Sequence, residues 1–160
     1  MEEQNIMVQF FASIYEWFGL NLFYDTNLGE ELRGYNMMCD GEYNETKWYL
    51  YVGWGMVIIT ILGYVMQYHI VDSPRYKSKG HWWLFALLIV LLNFFIAFFT
   101  SFNEIESNEY CSELVISRLD CLGFGVSNGI WCFLFFILLT SFSYPRAFSI
   151  NCRYTTFWKP

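Results

Sequence analysis

The sequence predicts an all-α, polytopic membrane protein with four transmembrane helices and both termini in the cytoplasm. Three observations carry that expectation. Residues 82–99, WWLFALLIVLLNFFIAFF, form a run of eighteen in which Asn93 is the only polar residue. As a helix rising ~1.5 Å per residue, the run is about 27 Å long, close to the ~30 Å hydrocarbon core of a bilayer. Just before it stands SPRYKSKGH, the most basic patch of the chain, with Arg75, Lys77 and Lys79. A basic collar beside a long apolar helix orients that end toward the cytoplasm. Composition agrees, since only 15% of residues are charged and 56% are hydrophobic, against ~25% charged in a soluble domain. The net charge of −6 argues against a nucleic-acid partner, which requires clustered Lys and Arg.

The chain reads as a single membrane domain, residues 1–160, with spans at about 6–24, 48–70, 82–99 and 122–142. Its start, MEEQN, is acidic where a signal peptide is basic. No small-x-small cleavage site follows the first apolar run, so that run is expected to be kept as a helix. The span 6–24 is the most polar of the four. Gln9, Ser13 and Glu16 are spaced by four and three, which places them on one helix face. Such a stripe suggests a face turned into a bundle. A helix lying in the interface plane is the competing reading.

Residues 25–47 form a polar outer loop with six acids, two bases and three glycines. In the span 48–70, Trp48, Tyr49, Tyr51 and Trp54 crowd one end, and Tyr64, Tyr68 and His69 sit at the other. Aromatic residues at both ends form an interfacial belt. Gly55 and Gly63, eight apart, share a face that a neighbouring helix can approach closely. Residues 71–80 make a short basic cytoplasmic connection, long enough for an antiparallel hairpin. A second acidic outer loop, 102–121, carries five acids and one base. In the span 122–142, Gly125 and Gly129 form a GxxxG pair that favours close helix contact. The tail, 143–160, mixes Arg146, Arg153 and Lys159 with aromatic residues, a combination suited to anionic lipid headgroups or to a protein partner.

Orientation follows from the bases. Arg75, Lys77, Lys79, Arg146, Arg153 and Lys159 lie on one side, and Arg33, Lys47 and Arg118 on the other. The side with six bases is the cytoplasmic one. The outer side then holds eleven of the fifteen acids, which read first as hydrated loops repelled by lipid phosphate and otherwise as a surface for a cationic ligand, a metal ion or a partner in the envelope. Cys39, Cys111 and Cys121 fall outside, where an oxidising compartment would join two of them. Cys111 with Cys121, or Cys39 with either, all remain open.

Glu16 is the only ionisable residue expected deep in the membrane. Counted from Ile6 it lies about 15 Å in, level with Asn93 in the third span. A carboxylate in hydrocarbon costs at least ~2.5–3.5 kcal/mol and therefore takes a partner. Asn93 is the expected one, with Gln9 and Ser13 lining the same path. This site serves as a buried clamp or as part of an ion path, or else Glu16 sits on a shallow helix near water. No HExxH, GxSxG, P-loop or Rossmann pattern occurs, so catalysis is not expected. Neither a cofactor nor a metal is expected, since no His lies on the outer side to complete a zinc set.

The four spans, the short connections and the lack of an enzyme motif resemble small four-helix bacterial inner-membrane proteins. Among these are the membrane subunit of the Kiwa phage-defence system, KwaA, and immunity proteins to pore-forming colicins. The Kiwa resemblance implies a homo-oligomeric sensor of phage attack in the inner membrane, working with a cytoplasmic effector. The basic face of 71–80 and 144–160 would receive that effector, and the acidic loops would sense. Two alternatives are a small oligomeric ion or proton channel and an immunity protein against a membrane-inserting toxin. A four-helix bundle has little interior of its own, so a homo-oligomer surrounded by membrane lipids is expected.

Overall fold

In the computed structural model, the described residues are 6–16, 23–34, 47–70, 79–107 and 116–142. They contain helices and no strand. The order is α1 (Ile6–Glu16), α2 (Thr26–Arg33), α3 (Trp48–Val65), α4 (Lys79–Ser107) and α5 (Arg118–Phe142), with a π-helical turn, Met66–Ile70, continuing α3. Three stretches are long and apolar enough to cross a membrane: Trp48–Tyr68, Gly80–Glu106 and Arg118–Ser141. Ile6–Glu16 is apolar but shorter.

The caps explain the boundaries. Asp25 precedes α2, and its Oδ1 accepts from the Thr26 N–H at 2.6 Å. Gly34 ends α2 at φ 72°, a left-handed conformation that glycine adopts without steric cost. Ser117 starts α5 through a capping box. Its Oγ accepts from the Leu119 N–H at 3.3 Å, while the Asp120 carboxylate accepts from the Ser117 N–H at 2.8 Å.

Several boundaries differ from the sequence expectation. The first outer loop, 25–47, contains helix α2. The third span lengthens from 82–99 to the 29 residues of α4. The second outer loop, 102–121, is helical at both ends, because α4 runs to Ser107 and α5 begins at Arg118. Good helix formers extend these helices past the point where hydropathy falls, since a helix ends at a cap and not at the edge of an apolar run.

The chain divides into two compact units. One comprises Met1–Gly55 with Phe94–Asn128, the other Met56–Asn93 with Gly129–Pro160. The first holds α1, α2 and the adjoining parts of α3, α4 and α5. Its core includes Phe11, Tyr15, Leu28, Leu32, Tyr49 and Phe124. The second is built around Met56, Tyr68, Trp82, Ala86, Ile89, Cys132 and Phe136.

Burial in the long helices is the reverse of a soluble protein. Thr60, Asn93, Ser101, Ser127, Asn128 and Thr140 are all buried. Leu84, Leu87, Leu88, Leu91, Leu92, Phe95 and Phe99 of α4 all face outward. A helix with its polar side chains inward and leucines outward is matched to lipid as its solvent. The three long helices therefore belong to an integral membrane protein.

Candidate functional site

The densest polar arrangement lies in the first unit, where α1 ends. Glu16 is the last residue of α1 and Arg33 the last of α2. Arg33 Nε donates to Glu16 Oε1 at 2.9 Å, and Arg33 Nη2 donates to Glu16 Oε2. This fork on a carboxylate is the bidentate geometry that a guanidinium favours. Local structure aims it: Leu28 and Leu32, four apart on α2, are both buried. That fixes the rotation of α2 and sends Arg33 back toward α1. Gly29 allows the approach, since a Cβ there would lie 3.2 Å from Tyr49 Oη and 3.3 Å from Glu16 Oε1.

Beneath the ion pair is a cluster of aromatic residues. Tyr15 stacks on Tyr49 with ring centroids 5.4 Å apart, and Phe124 meets Tyr15, Tyr24 and Tyr49 at 5.3, 5.7 and 5.9 Å. Tyr49 Oη donates to Glu16 Oε1 at 3.3 Å, Tyr24 and Tyr49 share a contact of 3.0 Å, and Tyr24 Oη reaches the Tyr15 carbonyl at 3.3 Å. Two hydroxyl protons serve these three contacts, so only two can be hydrogen bonds at once. An ionised Glu16 favours the relay Tyr24 to Tyr49 to Glu16, in which each bond polarises the next. Burial pushes Tyr24, in the turn between α1 and α2, up to about 12, against a smaller downward pull from its bond with Tyr49. It therefore stays a neutral phenol at physiological pH. Tyr15 Oη donates to Asn128 Oδ1 at 2.7 Å, tying α1 to α5.

The second unit has its own polar contact. Asn93 Nδ2 donates to the Ile89 carbonyl at 3.0 Å and to Cys132 Sγ at 3.1 Å. Thr60 Oγ1 lies 3.4 Å from Cys132 Sγ and donates to the Met56 carbonyl at 2.6 Å. Side chains from α3, α4 and α5 thus meet as a clamp in a setting that offers few other partners.

These contacts revise the expected polar site. Glu16 pairs with Arg33 and Tyr49, whereas Asn93 pairs with Ile89 and Cys132. Through Tyr49, Glu16 is held at the first turn of α3, while Asn93 and Thr60 both contact Cys132. The Gln9–Ser13 stripe also departs from its expected place. Both residues are exposed, and Ser13 Oγ donates to the Gln9 carbonyl at 2.7 Å. Val8, Phe11, Ala12 and Tyr15 form the buried face of α1 instead.

The glycines divide. At Gly63 a Cβ would come within 2.3 Å of Ile89, and at Gly125 within 3.0 Å of Phe94. Gly129 is buried. Gly55 faces open space, with nothing within 4 Å, so it does not pack as expected. Two close approaches were missed: a Cβ added at Gly53 would collide with the Phe11 ring, and one at Gly123 with the Phe23 carbonyl oxygen.

Cys121 is a free, buried thiol, which corrects both disulfides expected to involve it. It lies within the first turns of α5, turned into the core. Cys39 and Cys111 fall outside the described residues. So do Arg75, Lys77, Arg146, Arg153 and Lys159 of the basic face, while Lys79 begins α4. Among the described residues, no three His, Cys, Asp or Glu gather as metal ligands.

Arg33 was the functional residue missed by spacing. Its signals were present: Asp25 and Gly34 are start and stop signals for a short helix, and Leu28 with Leu32 gives it one apolar face. No protein-family model, curated protein or solved structure matches the chain.

Proposed function

We propose that this chain is a non-enzymatic interaction and sensor subunit of a bacterial inner membrane. In this reading α1 is a fourth membrane segment and both termini are cytoplasmic. The acidic outer surface meets a cationic ligand, and the basic face of 71–80 and 144–160 engages a cytoplasmic effector. A role in phage defence, as in Kiwa systems, is the biological setting it fits best.

The observation that supports this reading is the Glu16–Arg33 pair. The side chains are 25% and 44% exposed, and an ion pair that open is worth only ~0–1 kcal/mol. It joins two short helices, one apolar and the other in the acidic outer segment. A cationic ligand that competes for Glu16 therefore has little to overcome in breaking the pair, and modest differential affinity suffices to shift it.

The test is isolation of the tagged full chain from its native membrane in mild detergent, alongside the product of the adjacent gene. Co-isolation that is lost on deleting residues 145–160 is the expected result. A chain that retains no cytoplasmic protein, or retains it equally after the deletion, contradicts the reading.

A further inference from the structure

Glu16 presents both carboxylate oxygens to one planar group. Arg33 Nε donates to Oε1 at 2.9 Å and Nη2 donates to Oε2, while Tyr49 Oη adds a further donor to Oε1 at 3.3 Å. That fork suits a guanidinium better than an ammonium, which is a point charge that holds its water more strongly. It does not suit a metal ion, since among the described residues no three His, Cys, Asp or Glu gather. The group now in the fork can leave it. The Arg33 side chain is 44% exposed, and the packing of α2 rests on the buried Leu28 and Leu32. Arg33 can therefore swing into water while α2 stays seated. A group tethered to the same chain has an effective concentration on the order of millimolar. A lone guanidinium in solution does not match that, so a competitor must bring further cationic groups. Asp25 and Asp120 offer those groups partners. The Asp25 N–H meets Asp120 Oδ1 at 3.2 Å, which brings these two acidic residues together in the same unit as Glu16. Glu30 stands three residues before Arg33, on the neighbouring face of α2.

We propose that Glu16 anchors a site for an arginine side chain of an incoming polypeptide, and that Arg33 fills this site as an internal stand-in until the polypeptide arrives. The proposal rests on the sensor reading above and names its cationic ligand. One guanidinium leaves the carboxylate as another takes its place, so Glu16 stays paired on both sides of the exchange. The incoming chain gains by placing its other cations against Asp25, Glu30 and Asp120. What changes in the protein is Arg33, which moves from the fork into water.

The test measures binding of two labelled peptides to the full chain in mild detergent, by fluorescence anisotropy at physiological ionic strength. One peptide alternates arginine with glycine, and the other alternates lysine with glycine. The arginine peptide is expected to bind about fivefold more tightly, the scale of one open ion pair. Glu16→Gln should bring the two affinities together. Arg33→Ala removes the stand-in and should tighten the arginine peptide by about fivefold. Arg33→Gln, which keeps most of the side chain without its charge, should do the same. Equal affinities in the parent chain, a preference for arginine that survives Glu16→Gln, or weaker binding in the Arg33 variants overturns the proposal. Loss of the arginine preference with the cytoplasmic partner still retained overturns this proposal alone. An arginine preference that depends on Glu16, in a chain that retains no cytoplasmic partner, overturns the sensor reading alone.

Discussion

Glu16 and Arg33 stand at the ends of two short helices that also bury Phe11, Tyr15, Leu28 and Leu32. The pair is partly open, so its worth is small. Arg33→Gln is expected to destabilise the chain by about 1 kcal/mol, read as a melting shift of roughly 2–4 °C in detergent. In the double variant with Glu16→Gln, the two losses should fall short of additive, since either change alone removes the same contact. Additive losses would show that the two charges act independently. Gly123 is less forgiving. A Cβ there would fall 1.6 Å from a backbone oxygen, that of Phe23, and backbone has no rotamer to move aside. Gly123→Ala should cost about 1–3 kcal/mol. It should also detach the turn whose Asp25 N–H reaches Asp120 Oδ1 at 3.2 Å. Gly29→Ala meets a hydroxyl and a carboxylate oxygen at 3.2–3.3 Å and should cost less. Comparing the melting temperatures of the two variants checks that order.

At the scale of elements, α3, α4 and α5 were legible because their apolar runs exceed what any soluble helix needs. Their ends were not, since caps and continuing helix formers decide those. Helix α2 was read as loop because eight residues, TNLGEELR, have a charged composition and give little periodicity to count. Only its caps and the Leu28–Leu32 spacing announce it. The partner of Glu16 was illegible for the same reason, because an unrecognised helix cannot be rotated to bring Arg33 into place. Asn93 was singled out as the one polar residue of its run and by its depth counted along the helix. Its true partners, Cys132 and the Ile89 carbonyl, depend on helix rotation, which the nearly uniform apolar surface of α4 leaves unspecified. The clamp formed by Thr60, Asn93 and Cys132 ties three helices at one point. Asn93→Leu should cost about 1 kcal/mol, typical of hydrogen bonds between membrane helices. Thermal unfolding of the detergent-solubilised variant measures it, and an unchanged midpoint would mean that packing alone holds that level.

For the molecule as a whole, polarity turned inward and leucine turned outward fit lipid as the solvent, and the orientation proposed above rests on the placement of bases. Single-cysteine variants test that orientation. A variant keeping only Cys111 should react with a membrane-impermeant maleimide on intact cells. One keeping only Cys152 should react only after the membrane is opened. The reverse labelling would invert the topology and move the basic face to the outside. In the proposed function the polar side chains hold helices and partners together and do not conduct ions. Glu16 is engaged by Arg33 and Tyr49, Asn93 by Ile89 and Cys132, and Tyr15 by Asn128. The most direct measurement is proton and cation flux in liposomes containing the purified full chain. Flux equal to that of protein-free liposomes, unchanged by Glu16→Gln, is the expected result. Flux that rises with protein content and falls in Glu16→Gln would contradict it and make the chain a conduit.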